Sequence, residues 1–230
     1  RQRHLTIPCE MCIRDSVKTR PQWQPATWED YLTVRDDPGI EWERIFFDND
    51  YLFIDMGKEG VNHATICDLF TMLFFIWFSQ NPEQTFSSLG RCLLEKPKKR
   101  AGSPDLVLYL GENYPRWQPG ERRYLNFNQW PVPNLVGEIA DRTLAMDLDE
   151  KKQLYADLGI PEYWVIDVQC KRLLAFQLQE NGKYQECGES LALVGLPILL
   201  LEETLMQLDE GTNGSAALWF AQEIVNLKNS

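Results

Sequence analysis

From Thr27 onward, short runs dense in aromatic and branched residues alternate with stretches of helical spacing. "TWEDYL" opens a helix, with Thr27 placed to cap it and Asp30 three residues on to answer the cap. "WERIFF" and "YLFIDM", separated by Asp-Asn-Asp, read as a hairpin. "VNHATICDLFTMLFFIWFSQ" predicts a long buried helix that ends before Asn81-Pro82. "SLGRCLLEK" and "SPDLVLYL" are strands on either side of a basic run. The loop from Gly111 to Pro133 is long enough to suggest a role of its own. "NLVGEIA" is a further strand, "DEKKQLYADLG" a helix closed by Gly159 with Pro161 beyond, and "EYWVIDV" another strand. "RLLAFQL" and "KYQEC" form a second hairpin around Asn181-Gly182. The remainder mixes short apolar segments with a final helix near "AALWFAQEIVNL".

The strand–helix–strand unit from Leu135 to Val168 predicts a right-handed parallel crossover, and the strands before it are free to pair antiparallel. The fold class is therefore α/β, a mixed β-sheet flanked by α-helices. Residues 1–26 are expected to be an N-terminal extension, flexible or non-native, in which "MCIRDS" resembles a translated sequencing-adapter fragment. Residues 27–210 form the main domain and 211–230 a C-terminal helix. No internal repeat is visible.

Composition narrows this picture. Of 230 residues, 44% are hydrophobic and 12% aromatic, enough for a substantial core. The net charge of −11 disfavours indiscriminate binding to nucleic acid or an anionic membrane, but leaves room for a local basic groove. The 6 cysteines are scattered and no signal-peptide pattern is seen, which predicts reduced thiols and a cytoplasmic protein. Cys9 and Cys12 form a CxxC, yet no second pair stands at zinc-ribbon spacing, so the motif is read as incidental. The longest apolar run, Leu69 to Phe78, is too short to span a bilayer and is assigned to the core.

The chemistry starts from Glu138, a carboxylate inside the apolar strand "NLVGEIA", where an ionised group is costly without a partner. Strand alternation puts Val136, Glu138 and Ala140 on one face and Leu135, Gly137 and Ile139 on the other. Asp105 begins the strand "SPDLVLYL". If the two strands are neighbours, Asp105 and Glu138 converge, repel each other, and suit a divalent cation such as Mg²⁺ or Mn²⁺. On the following helix Lys151, Leu154, Tyr155 and Leu158 share the packing face, which draws Lys151 inward and leaves Lys152 solvated. A non-catalytic ion pair between Glu138 and Lys151 is the competing reading. His63 is read as a capping or core histidine ahead of one that leans into the site, Asp141 and Asp147 as exposed acids ahead of carboxylates that support it, and Trp77, Tyr163 and Trp164 as core. In the basic run "EKPKKR", Lys98, Lys99 and Arg100 are candidate contacts to a DNA backbone. Arg116, Arg122 and Arg123, interleaved with Tyr114, Trp117 and Tyr124, are candidates for clamping and stacking.

"SPDLVLYL", "LVGEIA", "TLAMDLDEKKQLYADLGIPEYWVID" and the trailing hairpin together resemble the Uma-type restriction endonuclease-like family, within the PD-(D/E)XK nuclease superfamily. The resemblance runs from about Thr27 to beyond Leu200. It implies a restriction-endonuclease-like core and metal-dependent phosphodiester hydrolysis of DNA, commonly by a homodimer. By the resemblance Asp105 is the first metal-binding acid, Glu138 the second, and Lys151 the catalytic lysine. The superfamily's usual lysine position, two residues after the second acid, is Ala140 here, and Lys151 on the next helix is the match. Ala140 and the negative net charge also keep open a non-catalytic nucleic-acid-binding or assembly module on the same fold. A sugar-hydrolase reading of the two acids explains neither the basic run nor the helix lysine.

Overall fold

The computed structural model describes residues 22–39, 44–57, 59–116, 118–120 and 124–229. Cys9, Cys12, Trp117, Arg122 and Arg123 lie outside them.

Helix α1 (Trp28–Asp36) follows β1 (Gln24–Pro25), and its Thr27 cap is reciprocated by Asp30 as a complete capping box. β2 (Arg44–Asp48) and β3 (Tyr51–Asp55) pair antiparallel around Asn49 and Asp50, both at positive φ, as a two-residue turn matched to strand twist requires. α2 (Val61–Ser79) is followed by β4 (Phe86–Ser88), β5 (Leu94–Lys96), β6 (Arg100–Gly102) and β7 (Leu106–Leu110). Within "SLGRCLLEK" only Ser88, the end of β4, and Leu94–Lys96 are strand. β8 (Leu125–Asn126) adds a short strand within the long loop by pairing with β5. β9 (Leu135–Ala140) leads through α3 (Leu144–Leu148) and α4 (Glu150–Leu158) to its parallel partner β10 (Glu162–Asp167). Gly159, at φ 79°, ends α4 in the left-handed conformation that the C-terminus of a helix favours. β11 (Arg172–Leu178) and β12 (Tyr184–Cys187) form the last hairpin. α5 (Ile198–Glu210), hidden in the sequence among short apolar segments, precedes α6 (Asn213–Asn229).

The strands form two sheets rather than one. The central sheet runs β12-β11-β10-β9-β7-β4 and is mixed; the second runs β1-β3-β2-β6-β5-β8. Side-chain alternation divides the core accordingly. Leu135, Ile139, Trp164 and Ile166 pack with Phe70 and Phe74 of α2 and Phe220 of α6. On the opposite face Val136, Ala140, Tyr163 and Val165 meet Leu154 and Tyr155 of α4 and Phe46 and Phe53 of the second sheet. α2 is long and apolar enough to cross a membrane by length and composition, and here it contributes Leu69, Phe70, Leu73 and Phe74 to the core. Burying four such side chains contributes several kcal/mol, at roughly 1.5–3 kcal/mol each. α1 covers the second sheet through Tyr31 and Val34 against Ile45 and Phe47.

Candidate active site and adjoining metal-ligand cluster

The site lies where the central sheet, α4, the start of α2 and the second sheet meet. β7 and β9 are antiparallel neighbours with Leu106 opposite Gly137, so the next step along the register brings Asp105 to Glu138. Gly137 permits the close approach: a Cβ there would stand 3.0 Å from Leu106 Cδ1. Asp105 Oδ2 then accepts the backbone N–H of Ile139 at 2.8 Å, which fixes the carboxylate to β9.

Four basic groups surround the two acids. Arg44, the first residue of β2, places Nη1 2.8 Å from Asp105 Oδ1 and 3.4 Å from Glu138 Oε2, while its Nη2 reaches Asp55 at 3.2 Å. Lys151 Nζ lies 2.9 Å from Glu138 Oε2 and 2.8 Å from Asp147 Oδ1, with the Phe46 ring 4.5 Å away. His63 Nε2 lies 3.1 Å from Asp105 Oδ2. Arg91 approaches from the far side of His63 and pairs with Glu59 at 2.8 Å. Tyr155 donates its hydroxyl to Glu138 Oε1 at 2.5 Å. Of the two cations paired with Glu138, Arg44 is the solvent-side one, its side chain 14% exposed, whereas that of Lys151 is 1% exposed.

These neighbours set the protonation pattern. Burial pushes the Glu138 carboxyl up, to about 7, against the pull of Lys151, and Asp105 and Asp147 push it further. Burial acts the same way on Asp105, but His63 and Arg44 outweigh it and hold that carboxyl below its usual range. Burial lowers Lys151, and Glu138 and Asp147 more than restore it, so the ammonium stays charged. Glu138 is thus the least firmly held charge of the cluster. His63 is held up to about 10: burial opposes its charge, and Asp105 and Cys67 overcome that opposition.

The structure brings Asp105, Glu138 and Lys151 together. It also corrects several expectations. Asp147 is buried, not exposed, because Lys151 and the Thr143 hydroxyl bind its carboxylate across the break between α3 and α4. Tyr163 caps that break by donating to the Asp147 carbonyl at 2.8 Å. His63 is not a simple core histidine, since it joins Asp105 to Glu59. Lys152 is half-buried, with Nζ 3.6 Å from the centre of the Phe176 ring. Tyr124 is covered by the Arg35 guanidinium at 4.6 Å, so its ring is already stacked.

The basic run is apart from the acids. Lys96–Lys99 is a turn closed by Lys99 N–H to Lys96 O at 3.0 Å, with Pro97 second and Lys98 third at φ 62°. Arg100 pairs with Asp48 at 2.7 Å and Asp157 at 2.6 Å, ties that hold β6 to β2 and α4. Asp48 and Arg44 stand at opposite ends of β2, four residues or about 13 Å apart. Lys98 and Lys99 are exposed beyond that far end.

A second cluster adjoins the acids. Glu59, His63 and Cys67 each bring one ligand atom within 4.8 Å of the others, a set able to coordinate a metal ion. Sequence reasoning placed the metal on Asp105 and Glu138 alone. The missed signal was the spacing Glu-x₃-His-x₃-Cys, which sets His63 and Cys67 on one side of α2 with Glu59 just before its N-cap. Arg44 had no comparable signal, because only tertiary packing carries it to the acids.

A mixed sheet with an acid at the start of one strand, an acid inside its neighbour and helices on both sides defines a domain of the PD-(D/E)XK-like nuclease superfamily. The chain belongs to the Uma2 family, described as "Putative restriction endonuclease", which matches residues 28–209. Among solved structures it is similar in fold to a protein of Anabaena variabilis ATCC 29413, described as "a putative nuclease". The two are 13% identical, with a TM-score of 0.50 over 85% of this chain and 99% of that one.

Proposed function

We propose that this protein is a Mg²⁺- or Mn²⁺-dependent endonuclease that hydrolyses phosphodiester bonds of DNA. The observation that carries the reading is the convergence of Asp105 and Glu138, from adjacent strands, on one cationic atom, Arg44 Nη1. That atom marks where two carboxylate oxygens would hold a divalent ion, so the donor set fits a hard cation once the guanidinium withdraws. Bound there, the ion would polarise a phosphoryl oxygen and favour ionisation of an attacking water.

The chain's own residues have distinct tasks. Ile139 N–H and His63 hold Asp105 in place. Lys151 and Tyr155 hold the two oxygens of Glu138 and keep it oriented within the cleft. Sealed between Glu138 and Asp147, Lys151 is a positioning residue in this arrangement. Arg44, the more exposed of the two cations on Glu138, has access to a phosphate, and its movement from the acids to the substrate would free their oxygens. Lys98 and Lys99 would meet the backbone about four base-pair steps from the bond cut, given the length of β2. One acid pair per chain cuts one strand, so the reading includes a homodimer for duplex cleavage.

Arg44 and Lys151 also favour a second reading. They already neutralise much of the charge on the acids, and Ala140 offers none, as in a nucleic-acid-binding module that has lost catalysis. Mn²⁺ titration by calorimetry separates the two. The nuclease reading expects binding that Asp105→Asn and Glu138→Gln each abolish; binding unaffected by both would assign the acids to structure.

A further inference from the structure

We propose that Glu59, His63 and Cys67 form a three-ligand site for Zn²⁺ or a transition metal of similar softness, separate from the acid pair and coupled to it through His63. The sequence spacing comes first. Glu59 precedes Gly60, the N-cap of α2, and His63 and Cys67 follow on successive turns of one helix face. Their ligand atoms converge: Cys67 Sγ lies 3.6 Å from His63 Nδ1 and 3.7 Å from Glu59 Oε1. Zinc bonds of ~2.3 Å to sulfur and ~2.0–2.1 Å to nitrogen and oxygen, set tetrahedrally, would separate sulfur from either partner by about 3.6 Å. Only the contact between His63 Nδ1 and Glu59 Oε1, a hydrogen bond here, has to open.

The supporting shell is also in place. A ligating histidine or carboxylate is commonly held through its remaining polar atom. His63 Nε2 faces Asp105 Oδ2 at 3.1 Å, and Glu59 Oε2 pairs with Arg91 Nη1 at 2.8 Å. Cys67 and His63 are buried, which shields the thiol from competing chemistry. The donor set selects the metal: one sulfur, one nitrogen and one oxygen suit Zn²⁺ or Co²⁺ and not Mg²⁺ or Ca²⁺. Three protein ligands leave a fourth position for water or another ligand. Binding displaces the His63 Nδ1 proton and the Cys67 thiol proton, so the +2 ion replaces two protons and the local charge is unchanged. His63 keeps its Nε2 proton, which continues to face Asp105. Occupancy would therefore fix the ring that orients the first acid of the cleft.

The test is direct and independent of cleavage. Reduced, metal-free protein carrying Cys9→Ser and Cys12→Ser is titrated with Co²⁺ and followed by absorption. One equivalent should give a thiolate-to-cobalt band in the near ultraviolet, bleached by ZnCl₂, lost in Cys67→Ser and kept in Cys170→Ser. Arg91→Met should weaken binding about 10–100-fold by removing the outer support of Glu59. Circular dichroism checks each fold, and Glu59→Gln replaces Cys67→Ser if the latter does not fold; it should weaken Co²⁺ binding likewise. Absence of a thiolate band, or a band unchanged by Cys67→Ser or Glu59→Gln, would overturn the proposal.

Discussion

Lys151 Nζ lies 2.9 Å from Glu138 Oε2, and neither side chain is more than 1% exposed. Two charges so enclosed are costly to separate. Losing one partner of a buried pair typically costs ~3–5 kcal/mol, far more than an exposed pair contributes. Lys151→Ala is therefore expected to destabilise the fold by about that amount and Lys152→Ala by about 1 kcal/mol or less. Urea unfolding of both variants checks this. Equal losses would remove the distinction between the two lysines.

Arg44 competes with any metal for Asp105 and Glu138. A unit charge about 4 Å away is worth about 4 kcal/mol at an effective dielectric near 20, so Arg44→Ala should tighten Mn²⁺ binding by at least about tenfold. Calorimetry on wild type and variant reads this. Weaker binding in Arg44→Ala would mean that the guanidinium organises the acids and does not occlude them.

Much of this arrangement was legible in the sequence. Alternation along β9 placed Glu138 with Val136 and Ala140, and the helical spacing of Lys151 with Leu154 and Tyr155 turned it toward the same face. Both inferences use only local periodicity. Arg44 was not legible, since it belongs to a different sheet and nothing in "WERIFF" shows that the sheets meet at its first residue. The second sheet itself was missed because its strands are short and read as satellites of one sheet. α5 was missed because "ILLLEETLMQL" begins in a continuous apolar run, where a strand and a buried helix look alike. The i, i+4 spacing of Asp147 and Lys151 was visible, but an exposed pair and a buried one share that spacing, so Asp147 read as exposed.

Tyr155 satisfies Glu138 Oε1, and replacing it with phenylalanine leaves that buried oxygen without its donor. Tyr155→Phe is expected to cost about 1–3 kcal/mol of stability. Thermal unfolding at fixed pH measures it, and an unchanged midpoint would mean that another group takes over the contact.

His63 is protonated in the fold up to about pH 10, against 6.5 for an ordinary histidine. The folded protein thus holds a proton that the unfolded chain releases. The resulting stabilisation is complete below about pH 6.5 and is lost as pH rises toward 10. In EDTA-treated protein, His63→Gln should flatten the decline in unfolding free energy between pH 7 and 10. The same decline in both proteins would assign it to other groups.

Reversal of the two exposed lysines of the β5–β6 turn, Lys98→Glu with Lys99→Glu, should weaken DNA binding at low salt and shallow its salt dependence by about two phosphate contacts. Fluorescence anisotropy at several salt concentrations measures the slope. An unchanged slope would leave the turn as a solvated connection.

The most direct measurement is single-turnover cleavage of plasmid and single-stranded DNA with Mg²⁺ or Mn²⁺, by wild type, Asp105→Asn and Glu138→Gln. The account predicts metal-dependent cutting by wild type that EDTA stops and that each substitution slows on the order of 100-fold or more, the equivalent of about 3 kcal/mol in the barrier. Cutting by either folded variant at the wild-type rate, or no cutting by wild type of either substrate with either metal, would contradict it.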